Sequence, residues 1–285
     1  MAFRNLLLLI RSYPEKTNTV AIASAVEIAA AWQANISALA CAIFRRVHQS
    51  PLAGFTGFPA ILGQAHAQIV SDTQALLKFF ADSAREHRVL GQELFRKCAP
   101  DELPALLAGY ARLHDLTVLP MPAGSYIGHL DSQWYAETAL FETGRPVLVL
   151  PHKYSAPTMG HFGTVAVAWD NSRAAARAIA DAMPVLHSAK SVRVVTIVND
   201  KAIGSEPPPG EILNHLAMHD ISAVHDMIEA RGRDAGTALT DYVRDQSAGL
   251  LVMGGYGRSR MREIMLGGAT KTMLTHPPVP VFLSH

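Results

Sequence analysis

One order of apolar runs and amphipathic stretches is written twice along this chain, and that repetition restricts its fold more than any other feature. In the first half, expected strands at residues 6–10, 36–44, 90–97, 116–119 and 146–150 alternate with helical patterns at 19–32, 64–87, 102–113 and 134–142. In the second half, expected strands at 164–169, 192–198, 222–228, 250–253 and 279–283 alternate with helical patterns at 172–186, 211–219, 234–244 and 263–274. Val118 and Pro146 are 28 positions apart, as are Val252 and Pro280. Short runs rich in Val and Ile suit strands buried on both faces, and strands separated by helices imply a parallel sheet. The expected fold is α/β: two Rossmann-like domains, each a five-stranded parallel sheet flanked by helices.

The expected domains are residues 1–152 and 162–285, with a seam at 153–163 where Pro157 and two glycines interrupt the periodicity. The length of 285 residues accommodates two domains of roughly 140 residues each. A hydrophobic content of 49% supplies a core for both, and a net charge of +1 offers no polyanion-binding surface, so nucleic acid is not expected as a partner. No segment approaches the ~20 apolar residues of a membrane span, and the run at 6–10, closed by Arg11, is too short for a signal peptide. Cys41 and Cys98 form no CxxC pair and read as inert buried thiols of a reducing compartment. A cytoplasmic setting without membrane contact is expected.

The second half carries the chemistry. Gly254, Gly257 and Gly267 spell G-x2-G-x9-G directly after an expected strand. Glycines let backbone N–H groups approach an anion closely, and a helix N-terminus beyond them adds unpaired donors and a favourable dipole. Arg258, Arg260 and Arg262 bring positive charge to the loop, or are a solvated helix start. Ligands of open α/β sheets sit at the carboxyl ends of the strands, where this loop falls. No G-x4-GK[ST] is present, and no GxGxxG follows the first strand of either half. No GxSxG elbow, HExxH or other catalytic constellation stands out, so the chain is read as a non-enzyme.

From Met253 through the glycine loop to Thr275-His-Pro-Pro-Val-Pro-Val-Phe-Leu283, the segment resembles the C-terminal signature of universal stress proteins. The resemblance implies a tandem member with ATP, with or without Mg2+, in the C-terminal domain, acting as a regulatory protein with at most slow ATP hydrolysis. It further implies that Asp170 lies near the adenosine, that the backbone of Val198 meets the adenine, and that Gly254, Gly257, Arg258, Ser259, Gly267 and Gly268 surround the phosphates. Asp170 could also be only a helix cap, and Val198 only core. The family usually has Ser or Thr after the third glycine; Gly268 here keeps the N–H and loses the hydroxyl. In the N-terminal copy, Pro120 stands for Gly254, Ala123 for Gly257 and Gln133 for Gly267, while Arg11 lies near the acidic position, so that copy is expected to be degenerate.

The family's last strands pair across a dimer, which here would make an intrachain pseudo-dimer through 147–150 and 279–283, with a homodimer as a further assembly. A nucleotide-independent interaction or small-molecule carrier protein of the same fold is the alternative function. His215 and His219, four apart on an expected helix, could present two imidazoles to a metal, but they are read as a polar helix face and no metal is expected. Tyr126, Trp134 and Tyr135 are read as core or interface packing.

Overall fold

The computed structural model describes residues 2–44, 58–124, 132–156, 162–198, 208, 210–255 and 268–285. Its N-terminal half runs β1 (Asn5–Arg11), α1 (Thr19–Ala31), β2 (Asn35–Ile43), α2 (Phe58–Glu86), β3 (Leu90–Cys98), α3 (Leu103–Ala111), β4 (Leu116–Pro120), α4 (Ser132–Phe141) and β5 (Val147–Leu150). The C-terminal half runs β6 (Thr164–Ala168), α5 (Arg173–Ser188), β7 (Ser191–Val198), α6 (Glu211–Ala217), β8 (Ala223–Glu229), α7 (Ala235–Asp245), β9 (Leu250–Gly254), α8 (Gly268–Thr275) and β10 (Val281–Ser284).

The two expected sheets are halves of one. All ten strands form a single sheet in the order β3-β2-β1-β4-β5-β10-β9-β6-β7-β8. Every pairing is parallel except the central one, where β5 meets β10 antiparallel with Phe282 opposite Leu148. That antiparallel junction is what a twofold relation between the halves requires, and it removes two sheet edges at once. Four buried residues in each of β5 and β10 make the junction part of the core.

Helices cover both faces. Residues of α1, α2, α5 and α6 enter one buried cluster, and those of α3, α4, α7 and α8 enter the other. Each cluster spans both halves. On the first face an aromatic chain crosses the seam: Phe3 lies 5.1 Å from Trp32 and 6.1 Å from Phe282, and Trp32 lies 6.1 Å from Phe162. Such contacts stabilise beyond the area they bury.

Local chemistry explains the helix starts. Asn18, Ser172 and Asp234 are N-caps whose side chains accept from the N–H of Val20, Ala175 and Thr237. Ser172 is the cap of α5, so the capping role considered for Asp170 belongs to its neighbour. The second helix is longer than expected, beginning at Phe58 and running through Gly63. Among the described residues, no helix is long and apolar enough to cross a membrane.

Candidate functional site

Within each half the strand order reverses direction at one place: between β1 and β4, and between β6 and β9. Crevices open outside the carboxyl ends of strands at such points. Asp170 follows the end of β6, and Gly254 closes the adjacent β9, so the two flank the second crevice.

Asp170 is exposed, and its Oδ1 accepts from the N–H of Ser172 at 3.0 Å. Asn171, at φ 58°, makes the turn that lifts the chain from strand to helix. Gly254 is required by close approach: a Cβ there would lie 2.5 Å from Ala174 C and from Ala175 N, at the start of α5. The strand end leading into the glycine loop is thus pressed against a helix N-terminus. Gly255 is fastened from the other side. Its N–H donates to Ser284 O at 2.7 Å, and Nδ1 of His285 lies 2.9 Å from its carbonyl oxygen. Leu140, from the N-terminal half, packs where a Gly255 side chain would stand.

Val198 ends β7, half-buried, on the other side of β6 from β9. Gly268 is exposed at the first position of α8, with nothing within 4 Å of a would-be Cβ. Gly257, Arg258, Ser259 and Gly267 lie outside the described residues, as do Arg260, Arg262 and Tyr126. The structure therefore brings together Asp170 and Gly254 and places Val198 and Gly268 at the same sheet edge.

Strand register fixes the correspondence with the first half. β1 pairs β4 as β6 pairs β9, with Leu6 opposite Leu116 where Val165 is opposite Leu250, so Arg11 occupies the place of Asp170. Pro120 pairs with Leu150 as Gly254 pairs with Ser284. Arg11 is buried and stacks over the Tyr135 ring at 5.1 Å; Tyr135 is itself buried, in agreement with its reading as core. Counting from the same register, Tyr135 corresponds to Ala269 on α8. An aromatic ring and a guanidinium thus fill the first crevice, where the second has an exposed carboxylate and an alanine.

The crossover helices differ accordingly. α5 packs chiefly against β9 and β10, whereas α1 is spread over β1, β2 and β4. Pro120 cannot yield the space that Gly254 leaves to a helix backbone.

Other polar groups are braces. Arg193 binds Asp226 in bidentate fashion, Nε at 2.9 Å and Nη2 at 3.0 Å, and the Tyr242 hydroxyl donates to Asp226 Oδ2 at 2.5 Å. Burial and the neighbouring carboxylate push Tyr242 up to about 12. This trio joins α7 to β7 and β8 within the sheet, away from the strand ends. The rings of His215 and His219 meet edge-on at 4.9 Å, while His225 Nε2 lies 2.9 Å from the Thr196 hydroxyl. Among the described residues, no group of three or more His, Cys, Asp or Glu side chains could hold a metal ion. Two features escaped the sequence: the Arg11–Tyr135 stack and the adjacency of Cys41 and Cys98. Both depend on strand register, which spacing alone does not supply.

Residues 161–285 match the model of the Universal stress protein family. The whole fold is similar to that of a universal stress protein from Archaeoglobus fulgidus DSM 4304, with a TM-score of 0.68 and 14% identity over 98% of this chain and 95% of that one. It is also similar to a functionally unknown protein from Pseudomonas aeruginosa PAO1, with a TM-score of 0.60 and 16% identity over 99% of this chain and 92% of that one. At these identities the likeness concerns the fold. No curated protein matches the chain. The strand order, a glycine at the end of β9 and the match to the Universal stress protein family model coincide in residues 161–285, and the N-terminal half repeats that fold with other residues at the corresponding strand ends.

Proposed function

We propose that this chain is an adenine-nucleotide-binding regulatory protein of the stress response that takes ATP in the crevice between β6 and β9. One observation carries the reading: the exposed Asp170 carboxylate stands at the strand end adjacent to Gly254, where the glycine loop begins. In this reading Asp170 accepts from the ribose hydroxyls, and the backbone at Val198 faces the adenine. Backbone N–H groups of the loop and of Gly268 hold the phosphates, with Arg258 and Ser259 beside them and Mg2+ an optional companion. The site supplies binding rather than catalysis, and ATP shifts the protein toward whichever state binds it better. A cytoplasmic setting and a homodimer fit the same reading.

The test is a calorimetric titration of the full chain with ATP, repeated on Gly257→Val. Saturable heat in the native protein that disappears in the variant supports the proposal. No heat and no thermal shift at millimolar ATP would favour a nucleotide-independent carrier of the same fold.

A further inference from the structure

A lateral ladder crosses the ends of the first three strands in the sheet. Arg11 on β1 pairs with Cys41 on β2, and Cys41 pairs with Arg96 on β3. Residues in register on parallel strands point to the same face, and Cys98, two positions beyond Arg96, shares it. Both cysteines belong to the buried cluster under α3 and α4, Cys41 fully enclosed and Cys98 7% exposed. Register and the shared cluster set the two thiols beside each other. Each flanking arginine is held by an aromatic ring: Arg11 over Tyr135 at 5.1 Å, and Arg96 over Tyr110 at 5.4 Å, with Arg96 Nη2 donating to the Tyr110 hydroxyl. The matching places in the C-terminal half hold Ile197, Ile228 and Ala230, so register leaves that half without a thiol pair.

We propose that Cys41 and Cys98 are a reversible thiol–disulfide pair, a redox modification site confined to the N-terminal half. The hydrogen bond from Cys41 draws the Cys98 thiol below its ordinary range, while that same bond and burial push Cys41 up. Of the two, Cys98 is the one that carries the thiolate, and it is the more exposed partner. With a peroxide as oxidant, the Cys98 thiolate attacks one peroxide oxygen, the O–O bond breaks, and hydroxide departs to take up the proton released by Cys98. The Cys41 sulfur then attacks the sulfenic sulfur. The S–S bond forms, the S–O bond breaks, and the Cys41 proton leaves with that oxygen as water. Two thiols are oxidised by two electrons, and hydrogen peroxide becomes two waters.

On parallel strands ~4.8 Å apart with a rise of ~3.3 Å per residue, diagonal neighbours have Cα atoms roughly 8 Å apart, beyond the ~4.4–6.8 Å usual for a disulfide. The closing bond therefore pulls on the backbone. Cys98 is the last residue of β3, an edge strand, where such a shift is least resisted. A strained bond of this kind is easily reduced again, which suits a switch rather than a staple.

The experiment treats the reduced full chain with hydrogen peroxide, maps the tryptic peptides without reduction, and counts free thiols. The expected result is a peptide pair linked through Cys41 and Cys98, lighter by two hydrogens and released by dithiothreitol. In Cys98→Ser, the remaining thiol should react about tenfold more slowly than the native pair. The proposal is overturned if both native thiols survive until the chain is unfolded. It is equally overturned if dimedone traps Cys98 sulfenic acid as fully in the native chain as in Cys41→Ser. Peptide mapping of the native chain decides the matter even where a variant fails to fold.

Discussion

At one position in the sheet the two halves of this molecule hold opposite residues: Asp170 after β6, exposed, and Arg11 at the end of β1, buried. The neighbouring strand ends differ in the same sense, Gly254 against Pro120, and the helices beyond them offer Ala269 against Tyr135. The topology is common to both halves, so a difference in what they bind has to come from the residues at these strand ends. A fold sets where a ligand can bind; the residues at three paired positions set the two places apart.

The largest test of that contrast removes the plug. Tyr135→Ala gives the first half the residue of the second, and it should cost about 4 kcal/mol, because a fully buried ring and its stack with Arg11 are lost. Urea unfolding measures the loss, and ATP titration should show no new site, since Arg11 and Pro120 remain. Next is the strand end. Gly254→Val places a side chain against the α5 backbone and should cost about 3 kcal/mol, whereas Pro120→Gly should cost only about 1 kcal/mol through added freedom of the unfolded chain. Equal midpoint shifts in urea for these two variants would erase the distinction between the halves.

Two smaller effects sharpen it. Gly268→Ser restores a hydroxyl at the start of α8, where a Cβ meets open space, and ATP affinity should rise by about tenfold, read by calorimetry. Asp234→Ala removes the cap of α7 and should lower stability by about 1 kcal/mol. The Thr237 hydroxyl and N–H hold the Asp234 carboxyl below its usual range. The stability it adds is therefore present above about pH 4 and fades as the pH falls below that. Denaturation curves of the variant should lack that acid loss. The corresponding helix of the first half, α3, starts without a side-chain cap at Glu102 and has Pro104 in its first turn, so it should not respond in this way.

The strand–helix order was readable because apolar runs and amphipathic stretches have different periods, and β1 to β10 all begin and end within two residues of the expected places. The antiparallel meeting of 147–150 with 281–284 followed from the family resemblance rather than from any pattern in the chain. Helix α2 was underestimated because Gly63 reads as a loop residue, although a glycine in a helix costs only about 1 kcal/mol. Asp170 and Gly254 were legible as candidate residues because one follows a strand and the other closes one, each beside a helix start. Ser172 rather than Asp170 as the cap depended on a two-residue difference that propensity does not resolve. Cys41 and Cys98 read as two inert thiols because register, which sets them side by side, has no local signature.

The central claim is that one half of the chain binds adenine nucleotide and the other does not. Calorimetric titration with ATP of the native chain and of Asp170→Ala tests it most directly. One site per chain is predicted, weakened about 30-fold by the substitution through the loss of a charge-assisted hydrogen bond. Two sites per chain, or a single site indifferent to Asp170, would contradict it.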